Sequence, residues 1–351
     1  MQEINLKNCI GGEMMSRKDF DLNMDDKQMK VLMKRAKRKQ LWRNWLISIC
    51  ASIIVIVSLF LGAAYFSQQT FRKMEREMNA LHRVQGPNIR FSGSMYLSLG
   101  MTGSTVIYNS YKNIAGQPVK WVNDIYESGI WDYSMKHYNG DLVSLDEEKR
   151  GEEAVTIPDY NVQTMQREMR FYLPFVTYKN YVDDLKNIGD LQNKVAEVAL
   201  SFDKSYTAEQ ITEMLPKSVQ PVWFWVDTYN EKKSDSYVGL KDPKNGAVLN
   251  AEMARNVFGF EGSYAKVKED VKNDLTINSK EFLYQMKYLA KNSEGIPSDY
   301  FEQYYKEIKN TKPKDLPIYG IVVTGKTEDL QSLQGSPYIK AAVRGVTVEK
   351  Y

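Results

Sequence analysis

The chain has 351 residues, 26% of them charged, with a formal charge of +3; that length suffices for two folded units with apolar cores. Charge is unevenly placed: residues 1–44 carry eleven Lys or Arg against six Asp or Glu, residues 45–66 none, and residues 67–351 thirty-six against thirty-eight. Such a division fits two compartments better than nucleic-acid binding, and two cysteines, Cys9 and Cys50, exclude a disulfide-rich scaffold.

The tail, residues 1–44, opens with an extended-looking DFDLNM that carries Phe20, Leu22 and Met24. Asp25 and Asp26 then suit a helix start, where carboxylates meet the positive end of the helix dipole. Met29, Leu32, Met33 and Ala36 follow at i, i+3, i+4 and i+7, one narrow apolar stripe on a basic helix. So short a tail cannot bury that stripe in a core of its own. Either a partner protein covers it, or the helix prolongs a membrane span and lays its lysines on lipid headgroups. Cys and His lack zinc spacing here, which excludes a zinc-type module.

Residues 45–66, WLISICASIIVIVSLFLGAAYF, contain twelve Leu, Ile, Val or Phe and no charge. As a helix they reach about 33 Å, against a hydrocarbon core of about 30 Å. Trp42, Trp45, Tyr65 and Phe66 stand at the ends, where aromatic rings prefer the interface. The cluster KRAKRKQLWRNW, residues 34–45, lies before the span, and the positive-inside rule puts the N-terminus in the cytoplasm. A cleaved signal peptide competes, but its leading region would be far too long. Ser58 and Gly62 form a small-xxx-small face that could pair helices.

Beyond the span, Phe71, Met74, Met78 and Leu81 keep helical spacing, a short stalk over 67–85 ended by Gly86-Pro87. Residues 86–185 read as strand-rich: IRFSGSMYLSLG and STVIYNSYKNI alternate apolar with polar residues on either side of a turn. No strong boundary separates them from residues 186–351, where KVAEVALSF reads as a strand. YTAEQITEML reads as a helix capped by Thr207 and Gln210, and VQPVWFWVDTY as an aromatic strand. Helices SKEFLYQMKYLAKN and SDYFEQYYKEIKN follow, then PIYGIVVTG, a short helix around TEDLQSL, and IKAAVRGVTVEKY. Two strand–helix–strand units, 195–229 and 317–351, are the building pattern of a ferredoxin-like sandwich of split βαβ units. The fold expected is α+β, with one transmembrane helix ahead of an extracytoplasmic α+β region.

Catalytic chemistry finds little footing. Two histidines, His82 and His137, make neither an imidazole metal cluster nor a Ser-His-Asp triad, and GxSxG, HExxH, CxxC and a P-loop are missing. Ser201 and Lys204 have SxxK spacing, but at the end of a strand-like run rather than on a helix. Asp183-Asp184 and Asp146-Glu147-Glu148 read as solvated faces, and the aromatic run at 222–226 as core rather than a ligand platform. No catalytic, cofactor or metal residue is expected.

MKRAKRKQLWRNWLISI, YKNIAGQPVKW, ALSFDKSYTAEQITEMLP with VWFWVDTY, and the closing IYGIVVTG and LQSLQGSPYIKAAVRGVTV together resemble the sigma-factor-regulator family over residues 25–350. That resemblance implies a single-span protein of Gram-positive bacteria with N- and C-terminal sigma-regulator domains, acting as an anti-sigma factor. Its cytoplasmic tail would hold an extracytoplasmic-function sigma factor at the membrane, and its outer region would respond to the envelope. Phe20, Leu22, Met29, Leu32, Met33 and Ala36 are then the candidate sigma-factor contacts. The other reading is a membrane-anchored envelope-binding or scaffolding protein without a sigma partner. Partners besides sigma factor and bilayer would be other membrane proteins or an envelope ligand, with no direct nucleic acid.

Overall fold

The computed structural model describes residues 25–136, 142–144, 158–232, 241, 245–264, 267–294 and 298–350. The chain divides into two compact units, Met1–Leu61 and Gly62–Tyr351. Helix α1, Asp26–Val84, contributes residues to both.

In the first unit α1 starts where the paired aspartates suggest: Asp26 stands in its first turn, and the Asp25 carbonyl accepts from the N–H groups of Gln28 and Met29 at 2.7 and 3.2 Å. None of the most apolar 18-residue stretch of α1, with a mean hydropathy of 2.7, is buried by protein. Its length and composition suit it to cross a membrane.

The second unit is an α+β body. Residues 67–84 of α1 belong to it, and they are no free stalk: Met74, Glu77, Met78, Leu81 and Val84 are all buried, at helical spacing. Gly86, with φ +87°, turns the chain into an antiparallel meander of β1 (Ile89–Leu99), β2 (Ser104–Ile114), β3 (Gln117–Ser128) and β4 (Tyr133–Lys136). Ala115 and Gly116 join β2 to β3 with φ of 49° and 93°, the two positive dihedrals of a tight primed hairpin turn. β2 buries every second side chain, as a strand with one covered face must.

Short strands β5 (Leu142–Ser144), β6 (Asp159–Asn161) and β7 (Arg170–Phe171) lead to the principal sheet. Its strands are β8 (Lys194–Tyr206), β9 (Gln220–Val226), β11 (Gly259–Glu261), β12 (Ile318–Lys326) and β13 (Ile339–Glu349); β10 (Glu252–Met253) pairs with β7. The sheet order is β11-β9-β12-β8-β13, every pairing antiparallel. β8 and β9 therefore run parallel with β12 between them, and β12 and β13 run parallel with β8 between them. Helix α2 (Ala208–Met214) links the first pair and α5 (Thr327–Gln331) the second, so the two strand–helix–strand units interleave, with β11 added at one edge. α2 starts as read: the Thr207 side chain accepts from the Gln210 N–H, and the Gln210 side chain accepts from the Thr207 N–H.

In chain order α3 (Lys268–Asn292) and α4 (Ser298–Ile308) lie between the two strand–helix–strand segments. α3 begins eleven residues before the helix expected at Ser279. Asn278 and Ser279 lie mid-helix: Asn278 Nδ2 donates to the Glu261 carbonyl at 2.9 Å, and Ser279 Oγ to the Thr276 carbonyl at 3.1 Å. Leu275, Ser279, Phe282, Met286 and Leu289 form its buried stripe.

The aromatic run on β9 is core. Trp223 and Trp225 pack against Phe171, with ring centroids 6.1 and 5.3 Å away. On the opposite face Phe224 stacks on Phe260 at 5.4 Å. Each such ring, fully buried, contributes roughly 1.5–3 kcal/mol.

Candidate functional site

Two places bear on function, one in each unit. In the first, the sequence-predicted stripe is present on α1: Met29, Leu32 and Met33 are 39, 50 and 54% exposed, and Ala36 is exposed beside them. At three- and four-residue spacing they share one helix face, set among Lys30, Lys34, Arg35 and Lys37. Phe20 and Leu22 lie outside the described residues.

The second place is where α1 is fastened into the body. Glu77 is buried and accepts three hydrogen bonds, from the Tyr133 hydroxyl, from Ser293 Oγ at 2.7 Å and from the Glu294 N–H at 2.9 Å. One carboxylate thus joins α1 to β4 and to the chain just past α3. Five residues on, His82 stacks on Phe91 with centroids 3.7 Å apart and shares a 3.0 Å hydrogen bond with the Tyr126 hydroxyl. Met74 and Met78 pack with Val106, Tyr108 and Tyr126 on the meander, while Ala80, Leu81 and Val84 enter the principal core.

The meander is in turn tied to the principal sheet by a buried ion pair. Lys112 Nζ on β2 lies 2.6 Å from Glu197 Oε1 on β8, with side chains 1% and 0% exposed. Asn88 Nδ2 donates to Glu197 Oε2 at 3.0 Å, the Val346 N–H donates to Oε1 at 3.2 Å, and Lys112 lies 4.0 Å from the Trp121 ring centre. Nearby, burial raises the Glu168 pKa; the Lys112 charge and a hydrogen bond from Asn161 oppose the rise. None of these residues emerged as a site from the sequence. The signal was there: a lone Glu in KVAEVALSF, and a lone Lys at a buried position of the alternation in STVIYNSYKNI.

Other acidic residues have structural work. Asp184, read as solvated, accepts from Arg167 at 2.7 Å and from the Arg344 N–H at 2.8 Å. Ser201 is buried within β8 and accepts from the Tyr172 N–H at 2.9 Å, which leaves its hydroxyl far from SxxK chemistry. Asp146, Glu147, Glu148 and His137 lie outside the described residues. Among the described residues no group of three His, Cys, Asp or Glu could hold a metal ion.

An uncovered apolar helix whose C-terminal part is built into an α+β body points to a membrane-attached protein. The sequence comparisons give the particular family. Residues 30–119 match the family described as Sigma factor regulator N-terminal, and residues 185–346 the one described as Sigma factor regulator C-terminal. This chain belongs to the sigma-factor-regulator family. Searches of curated proteins and of solved structures each found no match. Lys112 falls within the first matched segment and Glu197 within the second, so the buried pair joins the two.

Proposed function

We propose that this chain is a single-pass anti-sigma factor with its N-terminus in the cytoplasm, holding an extracytoplasmic-function sigma factor against the apolar stripe of α1. The observation that carries the reading is the exposed stripe Met29, Leu32, Met33 and Ala36 in a member of a sigma-factor-regulator family. Phe20 and Leu22 would extend that contact. Outside, the α+β body would supply the input. A cavity of about 380 Å³ walled by His82, Gln85, Trp121, Tyr126, Glu168 and Arg255 adjoins the end of α1, and a ligand there would touch the helix directly.

The test is the full-length protein with Met29→Gln, Leu32→Gln and Met33→Gln combined, all charges kept. Burying each of these side chains against a partner is worth about 1.5–3 kcal/mol. The triple variant should therefore lose sigma-factor co-purification and raise sigma-dependent transcription at least tenfold. Unchanged transcription, with no sigma factor recovered on the wild-type chain, overturns the reading and leaves the envelope-binding scaffold.

A further inference from the structure

We propose that the α+β body rests on the membrane through the tips of its meander, which enter the headgroup region of the leaflet at the C-terminal end of the span. The proposal takes the span reading as its base. It stands on placement, side-chain character and missing charge.

Placement comes from α1. Phe66 closes the apolar run, and Trp131, in the turn between β3 and β4, packs on it with ring centroids 4.9 Å apart. The preceding residue is fixed to the same helix, because Thr70 Oγ1 donates to the Ile130 carbonyl at 2.7 Å. Strand β1 runs back along α1: Phe91 stacks on His82, whereas Tyr96 lies by Phe71 and donates to Glu75 at 3.0 Å. The turn after β1 therefore arrives at the level of Phe66. The two turns abut, since a Cβ on Gly103 would meet the Ser128 carbonyl at 2.6 Å.

Side-chain character is that of an interface. Met95, Tyr96, Leu97, Met101 and Trp131 are exposed large hydrophobic residues, Trp131 at 73%, and Trp131 packs on Phe66, which is itself exposed, as is Tyr65. Trp and Tyr favour the headgroup boundary, where one end of the ring is dry and the other wet.

Charge is missing over the same region. In a chain that is 26% charged, residues 91–111, FSGSMYLSLGMTGSTVIYNSY, hold no Asp, Glu, Lys, Arg or His. Residues 128–131 and residues 45–71 of α1 hold none either. An aqueous hairpin with one open edge is ordinarily protected by charge. An uncharged one suits a surface where charge is costly. Arg72, Glu75, Glu127 and Asp132 border the region and would lie among the headgroups.

Nitroxide scanning of the full-length chain in phosphatidylcholine–phosphatidylglycerol vesicles tests this, with Cys9 and Cys50 replaced by alanine and one label per protein. Labels at Met101→Cys and Trp131→Cys should be relaxed more by oxygen than by a water-soluble nickel chelate, at a depth of about 5–10 Å, as for interfacial helices. Ala115→Cys, at the other end of the hairpin, is the aqueous control, and Val57→Cys the span control. Trp131→Asp should return the Met101 label towards the Ala115 value. Labels at 101 and 131 that match Ala115 while Val57 lies in lipid overturn the seat alone. An aqueous Val57 label overturns the span reading and the seat with it.

Discussion

Replacing Glu197 tests whether the body is held together by its buried ion pair. In Glu197→Gln the Lys112 ammonium stays buried but loses its 2.6 Å carboxylate partner, and the bonds from Asn88 and the Val346 N–H must be shared by a neutral amide. Removing one partner of such a pair costs about 3–5 kcal/mol, because the remaining charge is left uncompensated. With an m-value near 3 kcal/mol/M, the top of the usual range, the urea midpoint should fall by about 1–2 M. The assay is urea unfolding of the full chain in detergent, followed by tryptophan fluorescence; Trp121, beside Lys112, reports locally. Glu197→Leu combined with Lys112→Met should recover much of the loss, since a buried pair is often replaceable by apolar residues. A single variant within about 0.5 kcal/mol of wild type, the scatter of ordinary surface changes, would refute the reasoning.

Two further outcomes follow from the same geometry. Glu77→Ala removes the acceptor that the Tyr133 and Ser293 hydroxyls and the Glu294 N–H share; it should cost about 1–3 kcal/mol and speed hydrogen exchange over residues 70–84, whereas exchange unchanged there would show that packing alone holds the helix. Glu252, facing Tyr178, Tyr229 and Tyr300, is pushed by burial from about 4.5 up to about 7. The folded state thus keeps a proton that the unfolded state releases, and stability should fall between about pH 4.5 and 7 by at most about 3 kcal/mol. Asp227, raised by burial to about 6, acts in the same direction at lower pH. Glu252→Gln should flatten the upper part of that fall in pH-dependent unfolding, and an unaltered slope counts against it.

Periodicity determined much of this protein directly. The uncharged run at 45–66, the Thr207–Gln210 cap, the hairpin strands and each strand–helix–strand unit are local patterns, legible because their signals lie within a few residues of one another. Two readings of local signals needed the fold to correct them. The helix read from Ser279 begins at Lys268, and its buried stripe from Leu275 to Leu289 runs through Ser279. Residues 67–84 look like a stalk because nothing before them in sequence covers Met74 or Met78; the cover is the meander that follows, and Glu77 between them is held by Ser293, more than two hundred residues away. The Lys112–Glu197 contact belongs to the same class. Each lone charge is visible in its strand, but an ion pair eighty-five residues apart in sequence depends on how two sheets meet. The level of Trp131 beside Phe66 is likewise set by the antiparallel return of β1 along α1. Sequence alone determined where most of the helices and strands and the apolar run lie, because backbone propensity and solvent preference act locally. The clamp on the helix and the placement of the uncharged turns were decided only by tertiary packing, because burial and charge pairing depend on neighbours distant in the chain.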